Sequence, residues 1–200
     1  MRTAELPAEA FTFEAQDKLG YYGARVTDGA IQLIYGITPR GVDLTTNRDR
    51  GADRYVNNVL LECKTSRYQK YVGPEDISNE LTGRPGWWCT SVAHYLSWYV
   101  FESFDDRPAH MLYIGLLSKL RERFGDGEGR DRWRRENGNK VASGFLIPTE
   151  EFAGACFLTR RLPDFITDIL RCRHCGARFG LDTADTTSRP MVFDVCAGCR

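Results

Sequence analysis

Hydrophobic and polar positions alternate most clearly in RGADRYVNNVLLECKTS, residues 50–66, where two β-prone runs flank Asn57-Asn58. Asparagine tolerates positive φ, so a two-residue turn is expected there, joining the runs as a hairpin. Counting back from that turn sets Val56 opposite Val59, Tyr55 opposite Leu60, Asp53 opposite Glu62 and Gly51 opposite Lys64. Side chains alternate along a strand. Asp53, Glu62 and Lys64 therefore share one face, and Val59, Leu61 and Cys63 share the other, assigned to the core. Upstream, ARVTDGAIQLIYG reads as a second hairpin turning at Asp28-Gly29, and AELPAEAFTFEAQDKLG suits either a helix or a strand. In WWCTSVAHYLSWYVFE, residues 87–102, Trp88, Val92, Leu96, Tyr99 and Val100 recur at helical spacing behind the turn Arg84-Pro85-Gly86. MLYIGLL is a buried strand, SKLRERF a short helix, GDGEGRDRWRRENGNK a polar loop and VASGFLIP a strand stopped at Pro148. TEEFAGACF starts a helix with Thr149 as its N-cap. The order is a mixed α/β layout with strands clustered before the main helix.

Composition narrows the class. The 200 residues suffice for one ordinary domain with a small appendage. With 42% hydrophobic residues the chain is globular, not disordered. No apolar run approaches the roughly 20 residues of a membrane helix, and MRTAELPAEAF has no signal-peptide core. A cytoplasmic protein without a membrane partner is expected. The 27 basic and 27 acidic residues cancel, so any nucleic-acid partner must be met by local patches.

The cysteines add a metal. Cys172-Arg-His-Cys175 and Cys196-Ala-Gly-Cys199 are two Cys-x-x-Cys pairs separated by twenty residues. Each tight turn aims two thiolates at one point, and two such turns complete a tetrahedron suited to Zn²⁺. Disulfides or a redox pair are the alternatives. A cytoplasmic setting argues against the first, and the doubled ribbon spacing against the second. A closed four-thiolate site is structural, so residues 166–200 are expected to form a zinc ribbon beside a large domain over 1–165. Cys63, Cys89 and Cys156 are scattered and read as core residues.

The hairpin adds chemistry. Two carboxylates facing each other repel, and a divalent cation between them offsets the repulsion. Asp53 and Glu62 would hold Mg²⁺, a hard ion that takes oxygen ligands, with the Cys63 carbonyl as a third. Such a metal polarises a phosphate and acidifies bound water, and Lys64 would orient that water or stabilise the developing charge. Asp43 is a rival for the first carboxylate. The bland alternative is a surface hairpin with a solvated acidic-basic pair.

Asp53 with Glu62-Cys63-Lys64, the segment GRPGWWCTSVAHYLSWYVF, and SGFLIPTEEF occur in an order that resembles the PD-(D/E)XK, or restriction-endonuclease-like, superfamily over residues 40–155. No proline precedes Asp53, and the Asp-to-Glu spacing is short. The resemblance implies a mixed central sheet flanked by helices, Mg²⁺-dependent DNA cleavage, and metal and catalytic roles for Asp53, Glu62 and Lys64. A further acid would be Glu14 or Glu80. From Lys119 to Lys140, eight basic residues face five acidic ones around Trp133, a composition that can hold phosphates and stack a base. Arg171, Arg173 and Arg178 flank the first cysteine pair, where the ribbon would meet DNA or a protein. The expected function is a metal-dependent DNA endonuclease with a zinc ribbon. The alternative is a non-catalytic nucleic-acid-binding or adaptor protein of the same fold.

Overall fold

The computed structural model describes residues 13–42, 51–66, 70–101, 110–138 and 140–162. The four cysteines expected to form a zinc ribbon, Cys172, Cys175, Cys196 and Cys199, and Asp43, lie outside the described residues.

Helix α1 (Phe13–Tyr35) runs through the hairpin expected at Asp28-Gly29. Ala24, Val26, Thr27, Ala30 and Ile31 are buried, and their three- and four-residue spacing is one helical face. Packing that face against a sheet stabilises the helix more than the local Asp-Gly turn preference opposes it. At Gly23 the approach is close, since a Cβ there would lie 1.7 Å from Thr65 Oγ1.

Strands β1 (Arg40–Gly41), β2 (Arg54–Val56) and β3 (Val59–Ser66) follow. Asn57 and Asn58 take φ of 49° and 66°, the left-handed pair that a tight two-residue turn requires. The hairpin has the expected register, Val56 against Val59 and Tyr55 against Leu60. Next come β4 (Tyr71–Val72), β5 (Glu75–Asn79), β6 (Arg84–Pro85) and the short helix α2 (Trp87–Thr90). The long helix expected over 87–102 stops at Thr90, and Tyr95–Phe101 is strand β7. Leu96 to Val100 are all buried, so apolar spacing there fits a helix and a two-sided buried strand equally well.

After β8 (His110–Leu116) and helix α3 (Leu117–Phe124), the expected polar loop contains a strand, β9 (Arg132–Asn137), paired with β10 (Lys140–Phe145). Arg132 and Arg134 share one face of this edge strand, and Trp133 on the other packs against Gly73 and Gly144. Strand β11 (Ile147–Pro148), helix α4 (Thr149–Ala153) and β12 (Leu158–Leu162) complete the described chain. Pro148, not Thr149, occupies the α4 cap position, and no side chain caps that end.

The fold is α/β, with a mixed central sheet flanked by helices. Its order is β1-β2-β3-β7-β8-β12. Only β3 and β7 run parallel in it. A second, antiparallel sheet has the order β6-β5-β10-β9, and β11 pairs with β4. The longest described helix precedes the strands, reversing the expected order. Helix α1 packs on β3 and β7. On the other face lies a core that includes Trp88, Leu96, Trp98, Tyr113, Phe145 and Phe152. No described helix is long and apolar enough to cross a membrane.

Candidate functional site

Asp53 is set by the hairpin ladder. Its N–H donates to the Leu61 carbonyl at 2.9 Å, which places it just before β2. Its Oδ2 accepts the Cys63 N–H at 2.8 Å. The neighbouring Arg54 turns to α1, where its Nε donates to both Asp28 oxygens at 2.9 and 3.0 Å. The same guanidinium donates to the Asp53 carbonyl at 2.9 Å, so the peptide carrying Asp53 is tied to α1. Burial raises the Asp28 pKa, and Arg54 opposes the rise.

Glu62 lies on β3 at 3% exposure. The expectation of one core face on this strand is corrected here. Leu61 and Cys63 are buried as expected, but Glu62 is buried too, because β3 sits inside the sheet with α1 behind it and aromatic side chains in front. Glu62 Oε1 pairs with the Lys64 ammonium. Its Oε2 is buried with no hydrogen-bond partner among the described residues. Burial pushes the Glu62 pKa up to about 7, Lys64 opposes that rise, and Asp53 adds to it. For Lys64, burial acts to lower the pKa, but the Glu62 and Asp53 carboxylates outweigh it and hold the ammonium above its ordinary value.

Lys64 has a second neighbour that sequence spacing does not reveal. Its Nζ stands 4.6 Å from the centroid of the Trp87 ring. Trp87 is the first residue of α2 and comes to Lys64 through the β3–β7 crossover. Gly86 sets the entry to this helix. Its N–H donates to the Asp76 carbonyl at 2.7 Å, and a Cβ on it would lie 2.3 Å from the Glu75 carbonyl oxygen. Arg121 of α3 clamps the other end, donating to the Trp88 carbonyl at 2.5 Å and the Ser91 carbonyl at 2.8 Å. Glu75 on β5 is also missed by spacing. Burial raises its pKa, and Arg135 and Lys64 oppose the rise.

The hairpin thus brings Asp53, Glu62 and Lys64 together. Of the other acids considered, Glu14 lies in the first turn of α1. Glu80 is exposed and pairs with Arg134 at 2.9 Å. Among the described residues no three His, Cys, Asp or Glu side chains form a metal-holding group. Asp53 and Glu62 are two oxygen donors, and the orphaned Glu62 Oε2 is an unmet demand for a cation or a proton. This donor set fits a hard, partly hydrated ion such as Mg²⁺, which commonly takes only one or two protein carboxylates.

The basic stretch around Trp133 spends much of its charge internally. Arg132 reaches both Asp76 oxygens at 2.7 and 2.9 Å. Arg134 bonds Glu80 and Glu136, and Arg130 bonds Glu151 at 3.0 Å. The Trp133 indole packs over Gly144 of β10, where a Cβ would lie 2.5 Å from its Nε1, and that Nε1 has no hydrogen-bond partner among the described residues. Of the three scattered cysteines, Cys63 is buried and Cys156 half-buried against the core, whereas Cys89 is exposed and is no core residue.

The chain matches no protein-family model, no curated protein and no solved structure.

Proposed function

We propose that Asp53, Glu62 and Lys64 form the active site of a Mg²⁺-dependent endonuclease that hydrolyses DNA phosphodiester bonds. The domain would be restriction-endonuclease-like and span residues 1–165. A zinc ribbon over 166–200, held by Cys172, Cys175, Cys196 and Cys199, would contact DNA or a protein partner. The observation that carries the reading is the buried, unpartnered Glu62 Oε2 on the strand that also bears Lys64, beside Asp53.

Asp53 and Glu62 would hold the Mg²⁺, which when bound supplies Lewis acidity to the phosphate and acidifies bound water. The chain's own groups prepare the site. The Cys63 amide fixes the orientation of Asp53. Burial makes the Glu62 charge costly, and Lys64 offsets only part of that cost. Lys64 keeps a positive charge next to the oxygens where negative charge develops during hydrolysis. The test is Mg²⁺-dependent plasmid cleavage by wild type, Glu62→Ala and Lys64→Ala. Equal cleavage by all three overturns the assignment.

A second reading rests on the Glu62–Lys64 pair itself. Half of the Glu62 carboxylate is satisfied without metal, as in a nuclease-like protein that binds nucleic acid or acts as an adaptor without catalysis. DNA binding in the absence of Mg²⁺, with no turnover in its presence, favours that reading.

A further inference from the structure

We propose that Trp87 is a positioning residue for this site, and that its ring face holds the Lys64 ammonium in place when Glu62 is drawn to the metal. The inference rests on the nuclease reading above.

Two close contacts hold the Lys64 ammonium, the Glu62 carboxylate and the Trp87 ring at 4.6 Å, while the Asp53 and Glu75 carboxylates also attract it through their charge. They differ in what a divalent cation does to them. A metal bound by Glu62 draws off the charge that attracted Lys64 and repels the ammonium directly. Lysine has a long flexible stem, and without a second restraint it would swing into solvent. An aromatic face attracts an ammonium through its quadrupole. It carries no net charge and no donor oxygen, so it does not compete for the metal. The ring is the close contact that survives metal binding.

Its placement is rigid. Trp87 packs edge-on against Trp88, with ring centroids 5.8 Å apart and planes at 84°, and lies 6.0 Å from Trp98. Trp88 is itself anchored by its Nε1–H to the Gly125 carbonyl at 2.8 Å. A four-residue helix with no side-chain cap cannot hold itself. Arg121 supplies the missing donors at its end. The path runs from Arg121 through α2 and Trp87 to Lys64, which joins α3 to the candidate chemistry on β3.

The test compares wild type with Trp87→Leu, and with site-specific fluorinated tryptophans at position 87, which keep the shape of the ring and weaken its quadrupole step by step. At saturating Mg²⁺, Trp87→Leu is expected to lower kcat about tenfold, with KM for DNA and the Mg²⁺ dependence unchanged. The fluorinated series should lower kcat progressively with fluorine number. If Trp87→Leu does not fold, that series decides. In the wild type with Mg²⁺, the Lys64 ε-methylene protons should show an upfield ring-current shift. Active wild type with a flat fluorine series, or no ring-current shift, overturns the inference and leaves the nuclease reading standing. Inactive wild type overturns the nuclease reading and the inference with it.

Discussion

The Cys63 amide donates to the Asp53 carboxylate at 2.8 Å, tying the acid before β2 to the residue between Glu62 and Lys64. Orientation and charge can be separated at this position. An asparagine still accepts the Cys63 N–H through its Oδ1 but carries no charge. Asp53→Asn is therefore expected to keep its thermal stability and to lose about 100-fold or more in Mg²⁺-dependent cleavage. Asp53→Ala should lose both. Plasmid cleavage and thermal melts of the two variants check this.

Glu62 makes stability depend on pH in a stated direction. Its folded pKa, raised to about 7 from 4.5, means that folding favours the protonated acid. Its contribution is full below pH 4.5 and is lost as pH rises through about 7. The full loss is about 3 kcal/mol. Urea unfolding should show wild type losing stability across this window, whereas Glu62→Gln stays flatter. Millimolar Mg²⁺ should restore wild-type stability at high pH and leave Glu62→Gln unmoved.

Breaking the Asp28–Arg54 pair should cost stability. Both side chains are mostly buried, at 17% and 15% exposure. Removing one partner leaves the other charged and unpaired. Asp28→Asn and Arg54→Met should each cost about 2 kcal/mol, and the double variant less than their sum. A double-mutant cycle in urea measures the coupling.

Gly23 tests the packing of α1 on the sheet. Its missing Cβ would meet Thr65 Oγ1 at 1.7 Å, so Gly23→Ala should cost about 2 kcal/mol despite the better helix propensity of alanine. Thr65→Ala removes the nearest atom, and adding it should recover part of that loss in chemical denaturation.

Some of this was legible in the chain and some was not, for physical reasons. The Asn57-Asn58 turn and its register are local, and two adjacent residues that accept positive φ are enough to specify them. The grouping of Asp53, Glu62 and Lys64 follows from that register by counting. The burial of Glu62 does not, because it depends on β7 and α1, which lie far away in sequence. Asp28-Gly29 has the chemistry of a hairpin turn, yet the spacing from Ala24 to Ile31 is helical. The periodic face won because it buries area along the whole helix. Over 95–101 nearly every residue is apolar, so periodicity cannot separate a helix from a strand covered on both faces. Strand β9 gave only Trp133 as an apolar signal, since most of its order comes from the backbone ladder to β10 and from the Arg132–Asp76 ion pair to β5.

The proposed zinc ribbon leads to a prediction of its own. Chelation should release one Zn²⁺ per chain and leave the main thermal transition unchanged, if the boundary near residue 165 separates two folding units. Metal analysis by absorption spectroscopy, with calorimetry before and after chelation, checks this. A single transition that collapses on chelation would merge the two units.

The parallel pairing of β3 with β7 has a consequence for synthesis. Asp53, Glu62 and Lys64 leave the ribosome early, but Trp87 reaches Lys64 only after the crossover closes, and Arg121, which clamps α2, comes later still. A nascent chain that ends before α3 therefore carries the acids and the lysine without the frame around them. The hairpin can group the three residues early, whereas the Trp87–Lys64 contact and its Arg121 clamp need the chain through α3.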